Sequence, residues 1–177
     1  MSKRRRWDYL NDYKKGADGK YVYTGGYYTF SGTDEERKKA YVLLISQLLI
    51  TAVFVIGSGC INAAGMSNSF YVILPYILEV ASLFALVWNS VKLLKSGKNI
   101  KEYNFTSAVK YIAPASLMLG MFAAAGLICS AVFIVLNGFE GGKLLCILYL
   151  VFKAVTVVLS FVFRNYYIKL KWEKTTD

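Results

Sequence analysis

The chain has 177 residues, 56% of them hydrophobic, with a mean hydropathy of +0.41 and a formal net charge of +10. That is too apolar for an ordinary soluble domain of this length, and the complete lack of histidine removes the commonest general base and metal ligand. An all-α membrane protein with a basic coat is the class that remains.

The chain opens on a polar and aromatic segment, residues 1–33. Its "KRRRW" start is the one stretch that approaches a nucleic-acid-binding patch, which needs charge gathered on a folded soluble face. A nucleic-acid partner is therefore not expected. Further on, "DGKYVYTGGYYTFSG" places Gly25 and Gly26 between two runs rich in aromatic and β-branched residues. Two glycines suit the positive φ of a type I′ turn, so the pattern predicts a β-hairpin over about residues 20–31. Pairing outward sets Tyr23 opposite Tyr28 and Tyr21 opposite Phe30, with all four rings on one face. Such a face suits anchoring at a membrane interface, where tyrosine is enriched, or recognition of a protein partner. A lone hairpin is marginal in water, so this one needs support.

Thr33-Asp34-Glu35-Glu36 has the spacing of a capping box with acids in the first helical turn, which predicts a helix from about Asp34 into the first apolar run. Residues 34–177 read as a transmembrane domain of four helices, with spans at about 41–62, 71–94, 111–137 and 144–163. Each is near the ~20 residues that cross a bilayer. Pro75 and Pro114 read as marks of helix starts, where a missing N–H matters least.

Each span carries one polar or small stripe. Gln47, Thr51, Ser58 and Asn62 lie on the first; Glu79, Ser82, Leu86 and Asn89 on the second. Ser116, Gly120, Ala123 and Ser130 lie on the third; Tyr149, Lys153, Thr156, Ser160 and Arg164 on the fourth. In lipid such stripes turn toward neighbouring helices, where small residues permit close approach and hydroxyls can bond across. Gln47, Asn62, Ser82, Asn89, Thr156 and Ser160 are therefore expected inside a four-helix bundle. The matched spacing of Gly57 to Cys60 and Gly126 to Cys129 hints at a duplicated helical hairpin.

Basic residues set the orientation. Residues 1–40 hold ten Lys and Arg against six acids, the middle connection with Lys92 holds five against one, and the tail from Arg164 four against two. The other two connections hold only Lys143 and Glu140 between them. The positive-inside rule then places both termini and the middle loop in the cytoplasm of a multi-pass protein of the plasma or inner membrane. No cleavable signal peptide is expected. The coat favours anionic headgroups of the inner leaflet as a binding surface.

Two charges remain within the spans. Counting from the outer ends, Glu79 lies eight residues past Tyr71 and Lys153 nine past Leu144, which puts both roughly 12–14 Å deep. Equal depth and opposite sign make them a candidate intramembrane pair, and such residues are functional hypotheses by default. Three readings stand open: a clip joining the second and fourth spans, a proton- or ion-coupled path, or a pair that never forms, with Lys153 snorkelling or Glu79 protonated. Cys60, Cys129 and Cys146 have no metal spacing and read as packing residues, with a Cys60–Cys146 disulfide left open by the sequence. No catalytic constellation, metal site or cofactor motif stands out. The expectation is a non-enzymatic subunit or scaffold of a membrane assembly, with a protein partner or a homo-oligomer. The alternative is a small oligomeric transporter or channel using Glu79 and Lys153.

Overall fold

The computed structural model describes residues 13–15, 20–63 and 65–175, with the backbone alone at position 67. The basic stretch at 3–7 lies outside them. Four helices are long and apolar enough to cross a membrane: Asp34–Cys60, Phe70–Lys95, Glu102–Asn137 and Lys143–Ile168. In chain order the elements are β1 (Tyr13–Lys15), β2 (Tyr21–Tyr23), β3 (Tyr27–Phe30), α1 (Asp34–Cys60) and α2 (Phe70–Lys95). There follow β4 (Asn99–Lys101), the short α3 (Glu102–Asn104), a π-helical turn at Phe105–Val109, α4 (Lys110–Asn137), α5 (Lys143–Ile168) and β5 (Trp172–Thr175).

The start of α1 has the expected cap. The Glu36 N–H donates to Thr33 Oγ1 at 3.2 Å and the Thr33 N–H to the Glu36 carboxylate at 2.8 Å, which satisfies two orphan donors reciprocally. The prolines do not mark helix starts. Pro75 is the sixth residue of α2, and Pro114 lies well inside a helical rod that begins at Glu102. Its missing N–H leaves the Lys110 carbonyl without its usual donor, and the π-helical turn lies just upstream, a place where helices absorb irregularity.

Around the bundle, α4 packs along both α2 and α5, and α5 packs along α1, while α1 and α2 touch only lightly. Helices α2 and α5 therefore stand diagonally across the bundle. Bare glycine faces permit the close contacts. A Cβ on Gly57 of α1 would come within 2.7 Å of the Phe152 ring, and one on Gly126 of α4 within 3.7 Å of Lys153 Cε. The two glycines of the matched sequence spacing thus meet neighbouring residues of α5 from opposite sides. Two apolar clusters fill the interior. The larger, with Leu48, Leu83, Leu86, Leu119 and Phe163, lies toward the end that carries the strands. The smaller, with Met66, Val72, Phe133 and Cys146, lies toward the opposite, loop end.

The predicted β2–β3 hairpin is not formed. Strand β2 pairs instead with β1, in an antiparallel hairpin with Tyr13 opposite Tyr23 and Lys15 opposite Tyr21. Strand β3 is the centre of a second sheet in the order β4-β3-β5, with Tyr28 opposite Ile100 on one side and Lys174 on the other. The reason is hydrogen-bond satisfaction: a central strand pairs both of its edges, whereas a hairpin partner would leave one edge open. Gly25 and Gly26 span the step between the sheets without the positive φ of a type I′ turn. Tyr21, Tyr23, Tyr28 and Phe30 are accordingly split. Tyr21 is 71% exposed on one sheet, while Tyr28 stacks on Phe105 with centroids 3.9 Å apart and Phe30 meets Trp172 edge-on. The three-stranded sheet caps the bundle through those aromatics and the fully buried Ile100.

Candidate functional site: an ion pair across the bundle

Glu79 is nine residues into α2 and Lys153 ten into α5, so at ~1.5 Å per residue both lie about 14–15 Å from the loop end. Both helices turn these residues inward because their opposite faces carry the apolar side chains exposed on the bundle surface, among them Phe84 and Trp88 on α2 and Val151 and Val158 on α5. The result is an ion pair between Lys153 Nζ and Glu79 Oε2 that bridges the diagonal helices, with both side chains at 0% exposure. It lies between the two apolar clusters.

Two tyrosines complete the surroundings of the ammonium. Lys153 Nζ lies 4.5 Å from the ring centroid of Tyr76 and 5.2 Å from that of Tyr149, positions in which aromatic faces attract a cation. Tyr76 precedes Glu79 by three residues and Tyr149 precedes Lys153 by four, so each shares a helix face with the charge it serves. On α4, the Ser130 hydroxyl donates to the Gly126 carbonyl at 2.7 Å. Gly126 closes the site from α4, where a Cβ would stand 3.8 Å from Pro75 Cβ. From α1, Gly59 makes room for the Tyr76 hydroxyl, which would lie 1.9 Å from any Cβ there.

The carboxylate is incompletely served. Glu79 Oε2 takes the lysine, but Oε1 is buried without a hydrogen-bond partner, although a carboxylate oxygen offers two lone pairs. On the loop side of the pair, a cavity of about 120 Å³ is lined by Ser58, Gly59, Val72, Ile73, Tyr76 and Tyr149. The arrangement can hold charge, donate or accept a proton within the pair, and admit small species as far as the two tyrosines. Among the described residues, no group of three or more histidine, cysteine, aspartate or glutamate side chains has metal-binding geometry.

The other expected interior residues divide. Ser82, Thr156 and Ser160 are buried. Gln47 is half-buried with an unpartnered Oε1. Asn62 is exposed, because α1 ends at Cys60 and leaves it in the connection. Asn89 is only half-buried, and its neighbour Ser90 takes the inward position. The hydroxyls do not bond across helices: Thr51, Ser82, Ser130, Thr156 and Ser160 each donate to the carbonyl four residues earlier in their own helix, at 2.7–2.9 Å. That local bond satisfies the proton without a partner helix, which is how a hydroxyl sits in an apolar interior. All three cysteines are free, with Cys60 exposed and Cys146 buried, so no Cys60–Cys146 disulfide is present. Tyr76, Gly59 and Gly126 were not legible as site residues, although the three-residue spacing of Tyr76 from Glu79 is a usable signal.

At the strand end, Lys101 donates to the Tyr13 hydroxyl at 3.1 Å and lies over the rings of Tyr13 and Tyr23. The bond to Tyr13 holds its ammonium above the ordinary lysine range. Lys174 is raised likewise by its 2.8 Å bond to Glu102. These contacts tie the two small sheets to the helical rod at Glu102, whose N–H donates to the Tyr23 hydroxyl.

No protein-family model, curated protein or solved structure matches the chain.

Proposed function

We propose that this protein is a non-enzymatic subunit or scaffold of a membrane assembly, a four-helix multi-pass protein of the plasma or inner membrane with both termini and its sheets in the cytoplasm. The observation that carries the reading is the Glu79–Lys153 pair, fully buried and joining diagonal helices. A pair placed there fixes the rotation of α2 and α5 about their axes, the specifying role best attested for buried charges. The orientation rests on charge: among the described residues, every Lys and Arg except Lys143 and Lys153 lies at the strand end. The exposed apolar faces of the helices suit lipid or a neighbouring membrane chain.

A second reading is favoured by one observation. The unpartnered Glu79 Oε1 and the cavity reaching Tyr76 and Tyr149 suit a small oligomeric transporter or channel that moves a proton or ion through the pair. Purification in mild detergent separates the two. The subunit reading predicts a stoichiometric foreign chain co-purifying with the protein and no solute or proton flux in proteoliposomes containing the protein alone. A homo-oligomer with flux abolished by Glu79→Gln would overturn it in favour of transport.

A further inference from the structure

At the strand end, a groove of about 430 Å³ opens between the first turns of α1 and the end of α5. Phe30, Tyr166 and Leu170 give it apolar walls, and Lys39, Lys169 and Lys171 give it three ammonium groups. Glu36 is the one acid on its lining, and that carboxylate is already engaged by the Thr33 N–H in the helix cap. None of the three lysines takes part in an ion pair among the described residues. The fold itself gathers them. Pairing of Phe30 with Trp172 and the Ser31 N–H bond to the Lys171 carbonyl at 3.1 Å draw the chain after α5 back against the start of α1.

Three lysines against one carboxylate leave the groove net positive, and an anion held among the lysines lowers their mutual repulsion. Position indicates which anion. Lys39 stands just before the apolar run of α1, and Lys169 directly follows the last residue of α5. The groove is thus level with the ends of the apolar spans, beside the exposed Val42, Val162 and Ile168. A ligand there meets cations on one side and hydrocarbon on the other.

We infer that this groove binds the headgroup of an anionic phospholipid of the cytoplasmic leaflet, with the phosphate among Lys39, Lys169 and Lys171 and the glycerol and upper acyl chain against Phe30, Tyr166 and Leu170. The leaflet assignment rests on the proposed orientation; the binding chemistry does not. The test uses the full-length protein in nonionic detergent, where there is no sidedness, titrated with short-chain phosphatidylglycerol, short-chain phosphatidylcholine and inorganic phosphate. Binding is read by native mass spectrometry. Phosphatidylglycerol should bind well ahead of the other two. Near-surface lysines contribute roughly fivefold each, so the combined Lys39→Gln, Lys169→Gln and Lys171→Gln variant should bind it about a hundredfold more weakly. Lys92→Gln, Lys95→Gln and Lys110→Gln together, which remove the same charge elsewhere at that end, should leave it nearly unchanged. Equal losses in the two triple variants, or equal binding of phosphatidylcholine, would overturn the site. Inorganic phosphate binding as tightly as the lipid would overturn the lipid source. Lipid binding that passes these tests, combined with cysteine labelling that inverts the topology, would overturn only the leaflet.

Discussion

The Tyr76 hydroxyl occupies space that a Cβ on Gly59 would enter, 1.9 Å away, so the phenol reaches Lys153 only because residue 59 lacks a side chain. Gly126 is different, since a Cβ there would meet Lys153 Cε and Pro75 Cβ at ordinary contact distance, 3.7 and 3.8 Å. Gly59→Ala should therefore displace Tyr76 and cost about 1–3 kcal/mol, the usual range for overpacking. Gly126→Ala should be neutral or stabilising by up to about 1 kcal/mol, because it adds helix propensity without a clash. Thermal unfolding in detergent gives the ranking, and a reversed order would contradict the packing described. Ser90 offers a cleaner case. Its hydroxyl is buried without a partner, so Ser90→Ala should be neutral or stabilising by up to about 1 kcal/mol.

Among the elements, the helices and the strands differed in how far the sequence announced them. The Thr33 cap and the 27-residue run of α1 were legible because capping chemistry is local and a span needs length more than context. The strands were not. Gly25-Gly26 beside Tyr27 and Tyr28 satisfies every local rule for a hairpin, but β4 and β5 are three and four residues long and too short to register as strands. Their pairing with β3 depends on where α2 and α5 end, which is tertiary information. The same limit applied to the stripes: Glu79 and Lys153 stood out because charge in an apolar run is rare, whereas the serine hydroxyls gave no sign that they would bond within their own helices. A direct check of the sheet follows from its register. Cross-strand NOEs should link Tyr28 with both Ile100 and Lys174, and Tyr13 with Tyr23, in micelles that preserve the helices. NOEs between backbone protons of Tyr23 and Tyr28 as a directly opposed pair would contradict this topology.

For the molecule as a whole, topology comes first, because the proposed cytoplasmic side of the sheets and the proposed leaflet of the groove both refer to it. Single cysteines at Asn68, exposed at the loop end, and at Lys95, exposed at the strand end, would be compared in a background lacking the native cysteines. An impermeant thiol reagent on intact cells should label position 68 and spare position 95. The reverse pattern would invert the protein. The architecture itself turns on the diagonal ion pair, since α2 and α5 are not packing neighbours and are joined through their side chains at Glu79 and Lys153. Removing one charge leaves the other buried alone, a loss of about 3–5 kcal/mol, whereas removing both leaves neither. The decisive measurement is a double-mutant cycle of thermal stability in detergent with Glu79→Gln, Lys153→Met and their combination. Each single variant should be strongly destabilised and the double variant should recover much of the loss, ending more stable than the worse single one. Additive losses at the two positions would contradict a clip that holds the bundle together.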